Sequence, residues 1–129
     1  MNDITTKIIA HQAFDYFSQG WATGNFQPYI EMLSDEFTFW FPYGKHRGKF
    51  NGRAGKEQMI AKCRDNAEAG DCLIFSPPHR ITSNDTTTMF EFESQGTINH
   101  QPYIGRNAIS LTVTASQVSE YREYIGNIK

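Results

Sequence analysis

The chain has 129 residues, of which 39% are hydrophobic and 20% are charged. Its formal net charge is -2, whereas proteins that bind nucleic acid or membrane surfaces usually carry a basic excess. We therefore predict one domain over residues 1–129, with neither nucleic acid nor a membrane among its partners. The sequence has no run long enough to span a membrane and no signal-peptide pattern at its start, so we expect a cytoplasmic location.

The first part of the chain has helical periodicity. Apolar residues recur at steps of three and four from Thr6 to Thr23, which predicts a first helix that ends at Gly24. Asn25 can cap a short second helix. A third helix is predicted over about Ala54 to Ala69. The residues expected to be buried by these helices are Ile9, Ala10, Ala13, Phe14, Phe17, Trp21, Phe26, Tyr29, Ile30, Leu33, Met59, Ile60, Cys63 and Ala67.

Strand patterns occupy the remaining segments. An aromatic strand follows Ser34-Asp35, and in the second half the alternation of Phe90 and Phe92 with Glu residues is typical of a strand with one buried face. Helices followed by a run of strands predict an α+β fold, with the helices on one face of a curved antiparallel sheet. The four strands predicted in the second half are Cys72 to Thr82, Thr86 to Asn99, Tyr103 to Thr114 and Gln117 to Ile125.

Several segments, taken in order, resemble the nuclear transport factor 2-like superfamily. They are Gly24–Phe26, Met32–Phe37, Pro42–Gly44 and Gly52-Arg53, while the closing Val118–Tyr124 resembles the SnoaL-like branch within it. The resemblance implies a cone-shaped α+β barrel with helices on the concave side of the sheet, a cavity between helices and sheet, and a homodimer formed through the sheet. It does not imply one reaction, because the superfamily includes isomerases, cyclases, hydratases and non-catalytic members.

The resemblance allows a comparison with ketosteroid isomerase, which uses an Asp base with a Tyr and a protonated Asp as hydrogen-bond donors. The position of the base is Phe41 here. The position of the Tyr falls at or near Phe17, with Tyr16 one residue away, and the second Asp position is near Ile109. Because a Phe can neither accept nor donate a proton, this comparison argues against ketosteroid isomerase chemistry.

Glu123 and His79 are the candidate catalytic residues. SnoaL-type cyclases use a pocket Asp as acid and base, and Glu123 is the acid in the closing strands that could face the interior. If Tyr121, Glu123 and Ile125 share the concave face, burial would raise the pKa of the carboxyl. The alternative, which the surface preference of Glu favours, is that Glu123 faces outward and pairs with Arg106 or Arg122. His79 could face the cavity, although a scattered His more often caps a loop.

Two functional hypotheses follow. The first is a non-catalytic domain whose aromatic residues either line a cavity that binds a small apolar molecule, with or without a carbonyl group, or merely complete a core. The second is a small isomerase, cyclase or hydratase that uses Glu123 or His79. Neither hypothesis requires a cofactor, and the spacing of the His residues does not indicate a metal site.

Cys63 and Cys72 are expected to be buried and reduced. The residues predicted to line the pocket are Phe17, Trp21, Phe39, Phe41, Met59, Cys63, Phe90, Phe92, Asn107, Ile109 and Tyr121.

A basic loop from Lys45 to Arg53 stands out in this acidic chain. Its order of residues does not match a phosphate-binding loop. The loop is either a solvated hairpin, the usual situation of a charged run, or the rim of the cavity mouth, where it could attract an anionic group. Arg106 and Asn107 could provide polar anchors deeper in the cavity.

Overall fold

The computed structural model describes residues 3–127, and its three helices agree with those predicted from the sequence. Gly24 ends the first helix with a φ of 86°, a value that glycine adopts without strain. The Asn25 Oδ1 accepts a hydrogen bond of 3.2 Å from the backbone N–H of Gln27 at the start of the second helix. Within residues 3–127, no helix is both long and apolar enough to cross a membrane. The helices are α1 (Asp3–Thr23), α2 (Gln27–Ile30) and α3 (Gly52–Glu68).

Seven strands follow the predicted pattern with one difference. The segment from Cys72 to Thr82, predicted as one strand, is divided by Pro77 and Pro78. Because proline has no N–H to donate to a neighbouring strand, it interrupts the ladder there. The strands are β1 (Leu33–Phe41), β2 (Gly48–Phe50), β3 (Cys72–Phe75), β4 (Arg80–Ser83), β5 (Thr87–Ile98), β6 (Gln101–Thr114) and β7 (Gln117–Asn127).

The strands form one curved, unclosed sheet in the order β2-β1-β7-β6-β5-β3, with β4 also paired to β5. The α+β prediction is therefore confirmed. The expectation of a purely antiparallel sheet is wrong at one place, since β1 and β7 are parallel, with Phe39 opposite Tyr121. This pairing joins the first strand of the chain to the last, and it places the inward side chains of β1 and β7 beneath α1 and α3.

Aromatic rings fill most of the space between the helices and the sheet. Phe14 of α1 stacks on Phe90 of β5 with 4.2 Å between ring centroids. Phe17 lies 4.8 Å from Tyr29, and Phe75 lies 4.4 Å from Phe92. These rings belong to one buried core or pack directly against it, so they fill much of the space between the helices and the sheet.

Gly55 allows α3 to approach β1 closely. A Cβ at this position would collide with the carbonyl oxygen of Phe37 and would lie 2.7 Å from that of Phe50. We expect Gly55→Ala to lower the free energy of unfolding by about 1–3 kcal/mol, as overpacked sites do. Gly126→Ala is the control, because its Cβ would have only an ordinary contact of 4.0 Å with Arg106. Urea denaturation of both variants measures the effect, and equal stabilities would contradict the close approach.

Candidate functional site

A cavity of about 280 Å³ opens between the C-terminal ends of α1 and α3, the loop after β1 and the β5–β6 turn. Aromatic and aliphatic side chains make up much of its wall, and charged groups are present at several points. We refer to it as the cavity. Its lining residues are Trp21, Phe41, Tyr43, Gly44, Lys45, His46, Lys62, Asp65, Asn66, Ala69, Asp71, Leu73, Ile98, Asn99, Tyr103 and Ile125.

Lys62 is the most unusual residue of the cavity wall. It lies on the inner side of α3 and is only 6% exposed. Its Nζ is 4.8 Å from the centroid of the Trp21 ring and 4.6 Å from that of Phe41, distances at which an aromatic face attracts a cation. This Nζ makes no hydrogen bond or salt bridge to any of the described residues. The amine therefore faces the cavity without a hydrogen-bond acceptor among residues 3–127.

Glu123 is at the centre of a buried chain of hydrogen bonds on the inner face of the sheet. Its Oε2 accepts a hydrogen bond of 2.8 Å from Nδ2 of Asn107, and its Oε1 accepts one from the hydroxyl of Tyr121. Oδ1 of Asn107 in turn accepts a hydrogen bond of 2.7 Å from Oγ of Ser94. The four side chains come from β5, β6 and β7, so the sheet itself fixes the orientation of the carboxyl group.

Lys62 and Glu123 influence each other electrostatically. Burial raises the pKa of the Glu123 carboxyl, and the positive charge of Lys62 and the hydrogen bonds from Tyr121 and Asn107 offset part of that rise. Burial lowers the pKa of the Lys62 amine, while Glu123, Cys63 and Asp71 act in the opposite direction. In both groups desolvation is the largest effect. The two shifts bring the pKa values of the acid and the amine closer together than in exposed Glu and Lys residues.

The cavity mouth carries a second polar group around His46. His46 Nε2 lies 2.9 Å from Oδ2 of Asp65, and Gln58 Nε2 lies 2.6 Å from His46 Nδ1. A neutral imidazole that donates from Nε2 to Asp65 and accepts at Nδ1 satisfies both contacts, and burial lowers the pKa of His46. Lys45 also bonds to Asp65 at 3.0 Å while its side chain remains 78% exposed. Both ring nitrogens of His46 are occupied, so the group stabilises the mouth of the cavity.

Known structures share this architecture. An NTF2-like protein from Anabaena variabilis is 38% identical, and the match covers 96% of this chain and 91% of that one with a TM-score of 0.87. The chain belongs to the NTF2-like family. No protein-family model and no curated protein sequence matches the chain.

More distant structures show the same NTF2-like fold. A protein of unknown function with a cystatin-like fold from Xanthomonas campestris is 16% identical, with coverages of 98% and 92% and a TM-score of 0.73. SalBIII, an epoxide hydrolase/cyclase-like enzyme with a role in pyran ring formation in the polyether salinomycin, is 17% identical, with coverages of 94% and 90% and a TM-score of 0.69. At these identities the likeness concerns the fold alone.

The NTF2-like sheet separates the two candidate catalytic residues. The favoured outward orientation of Glu123 is wrong: the side chain is 7% exposed and shares the inner face with Tyr121. Arg122 pairs with Glu120 instead, with 3.0 Å between Nε and Oε2. His79 lies on the outer side of the sheet, 57% exposed, with its Nε2 3.3 Å from Oε2 of Glu93. It therefore has no access to the cavity.

The predicted pocket and the observed cavity overlap only in part. Trp21 and Phe41 lie in the wall of the cavity, whereas Asn107 is buried in its hydrogen bonds to Glu123 and Ser94 and Phe92 is part of the core. The other predicted residues are packed against one another because the aromatic rings fill the space expected to be open. Those core residues are Phe17, Phe39, Met59, Cys63, Phe90, Ile109 and Tyr121.

The two cysteines differ from each other in the structure. Cys63 is buried, and burial raises the pKa of its thiol to about 12, so it remains a protonated core residue. Cys72 was also expected to be buried, but it is exposed and its Sγ donates a hydrogen bond of 3.4 Å to the carbonyl oxygen of Ala22. Among residues 3–127, no three His, Cys, Asp or Glu side chains are arranged to hold a metal ion.

The basic loop is both a hairpin that reaches solvent and part of the rim of the cavity. β2 pairs with β1 as a hairpin, with Trp40 opposite Lys49, and the Lys45 side chain reaches solvent. Lys45 and His46 also line the cavity, so the loop forms part of its rim. Of the two proposed deeper anchors, Asn107 is buried and bonded to Glu123, whereas Arg106 is exposed on the outer face.

Sequence reasoning missed Lys62, although a signal was available. Lys62 follows Met59 by three positions and precedes Asn66 by four, so it falls on the inward face of α3. A charged residue in a helix usually extends to solvent, which made the position easy to overlook.

Proposed function

We propose that the cavity binds a small, largely apolar molecule that presents a carbonyl or carboxylate oxygen to Lys62. The observation that carries this proposal is the Nζ of Lys62, which opens to the cavity from a largely buried side chain and has no hydrogen bond from any described residue. Partial removal of an amine from water without a protein acceptor costs free energy. A ligand oxygen in the cavity would supply the missing acceptor and recover part of that cost.

The rest of the wall suits the apolar part of such a ligand. Trp21 and Phe41 flank the amine, and Leu73 and Ile98 add aliphatic surface. Small-molecule sites usually combine an apolar wall with a few polar groups that orient the ligand. A volume of about 280 Å³ is at the small end of such sites, which favours a ligand with one ring or a short chain.

A catalytic role for Glu123 is the second candidate function, and it applies to an isomerase or cyclase type of reaction. It is favoured by the raised pKa of the buried carboxyl and by the nearby amine of Lys62. SalBIII is an example of an epoxide hydrolase/cyclase-like enzyme with this fold. Glu123 lies outside the wall of the cavity, so this role requires proton transfer through Lys62 or through a ligand that reaches further inward.

Tryptophan fluorescence provides a direct test, because the chain has two Trp residues and only one is in the cavity. Trp40 contacts Tyr124 on the other side of β1, with ring centroids 5.1 Å apart. In a Trp40→Phe protein, we expect Trp21 emission to change saturably with acetophenone or benzoate. Benzyl alcohol, which has a similar ring but no carbonyl oxygen, should bind at least about tenfold more weakly, the difference that roughly 1.4 kcal/mol of lost hydrogen bonding produces.

Equal responses to all three probes would contradict a role for Lys62 in recognition. The absence of any saturable response would contradict the cavity as a binding site for this class of molecule. If the probes do bind, mass spectrometry of small molecules that co-purify with the protein would identify the natural ligand. The homodimer through the sheet and the cytoplasmic location remain predictions.

A further inference from the structure

We propose that Lys62 is a nucleophile that condenses with an aldehyde or ketone in the cavity to form an imine. This inference rests on the proposed function, since the carbonyl compound must first bind beside Lys62. It goes further by assigning a covalent step and a substrate class to this chain.

The geometry around Lys62 fits a reactive amine. The side chain is 94% buried, and its Nζ lies in the wall of an open cavity. The Nζ makes no hydrogen bond to any described residue. An amine whose N–H groups were held by protein acceptors, or whose lone pair accepted a hydrogen bond from a protein donor, would be less available for attack. Lysines used for imine chemistry are activated by desolvation in apolar surroundings, and Trp21 and Phe41 provide such surroundings here.

The charges that face Lys62 decide how much neutral amine is present. Glu123 on β7, the neighbouring Cys63 on α3 and Asp71 after α3 all favour the ammonium form, while burial opposes it and is the larger effect. The pKa of the amine is therefore lowered, and a larger neutral fraction exists than for an exposed lysine at the same pH.

The condensation balances without an oxidant or a reductant. The lone pair of Nζ attacks the carbonyl carbon and forms a C–N bond, while the carbonyl π electrons move to oxygen, which takes up a proton. The resulting carbinolamine loses its oxygen together with two hydrogens that began on the neutral amine, and these leave as one water molecule. The product is a C=N bond between the substrate carbon and Lys62.

Borohydride trapping tests this step. The full chain is incubated with benzaldehyde, reduced with sodium cyanoborohydride, and analysed by intact mass and by peptide mapping. We expect one benzyl adduct per chain, on Lys62, to form at least about tenfold faster than any adduct on the exposed Lys49, because binding holds the aldehyde next to the amine. Excess benzoate, which cannot form an imine, should suppress the Lys62 adduct by occupying the cavity.

Two variants separate covalent chemistry from charge. Lys62→Arg keeps a cation but has no nucleophilic amine, so it should lose the adduct and retain a Trp21 response to benzoate. Lys49→Met should leave Lys62 labelling unchanged. The benzoate competition uses the unaltered chain, so the test does not depend on the folding of Lys62→Arg.

The result that overturns the inference is a lack of preferential, benzoate-sensitive labelling of Lys62. If Trp21 emission still responds to acetophenone or benzoate in that case, the proposed binding function stands and only the imine is excluded. If Trp21 emission does not respond either, the proposed function fails together with the inference.

Discussion

Replacing Lys62 with Met is expected to weaken the binding of carbonyl and carboxylate probes, followed by Trp21 emission, at least about tenfold while making the protein more stable. Met has a similar length and no charge, and it removes the cost of desolvating an amine that has no hydrogen bond from a described residue. The loss of the ring contacts with Trp21 and Phe41 offsets part of that gain. We therefore expect the free energy of unfolding to rise by about 1–2 kcal/mol at pH 7. Urea denaturation of wild type and variant measures it.

The gain in the free energy of unfolding that Lys62→Met produces should become smaller as pH rises. Burial lowers the pKa of Lys62 from its ordinary 10.5 in the folded protein. The wild type therefore loses stability as pH falls through the folded-state pKa, and it recovers this stability toward pH 10.5. The difference between variant and wild type should narrow as pH rises from 7 toward 10. Lys49→Met, at an exposed position of β2, should show no comparable gain in the free energy of unfolding.

A loss of stability in Lys62→Met would point to a different role for the lysine. If Lys62 and Glu123 formed a structural ion pair, removing the cation would leave a buried carboxylate and cost about 3–5 kcal/mol. Such a loss at pH 7 would contradict the view that the amine is held in the cavity wall for a ligand.

Glu123→Ala is expected to cause the largest loss of stability among these variants, about 3 kcal/mol. Truncation leaves Nδ2 of Asn107 and the hydroxyl of Tyr121 without their buried acceptor. It also removes the negative charge that faces Lys62. Glu123→Gln keeps an acceptor oxygen and the size of the side chain, so its free energy of unfolding should fall far less than that of Glu123→Ala. Thermal and urea unfolding of the two variants measure the contrast.

The pH dependence of the Gln variant tests the protonation of Glu123. Burial raises the pKa of this carboxyl in the folded protein. Its contribution to stability is therefore complete below the pKa of the unfolded chain and is lost as pH rises through the folded-state pKa. Relative to wild type, Glu123→Gln should gain stability between about pH 4.5 and the folded-state pKa. Glu93→Gln, on the outer face, is the matched control, and identical pH profiles for both Gln variants would contradict a raised pKa.

The fold could be predicted from the sequence because its signals are local. The three- and four-residue spacing of Ala10, Phe14, Phe17 and Trp21 defines the buried side of α1, and alternation defines the buried side of β5. Parallel pairing of β1 with β7 could not be predicted in this way. It depends on which strands meet after the chain has folded, and the periodicity of either strand is the same for parallel and antiparallel neighbours.

The site was less predictable because it depends on exceptions to general preferences. Glu123 alternates with Tyr121 and Ile125, which correctly indicated the inner face, but the surface preference of Glu favoured the opposite orientation. Lys62 occupies a core position of α3 and was missed for the same reason. The open volume was also misplaced, since apolar residues on the inner face can either line a cavity or fill it, and only packing in three dimensions distinguishes the two.

The most direct measurement is a crystal structure of the protein soaked with benzoate. The ligand is expected in the cavity, with its ring against Trp21 and Phe41 and a carboxylate oxygen about 3 Å from Nζ of Lys62, a normal hydrogen-bond distance. Benzoate bound only elsewhere, for example beside His79 on the outer face of the sheet, or an unoccupied cavity at saturating benzoate, would contradict the assignment of Lys62 and its cavity as the functional site.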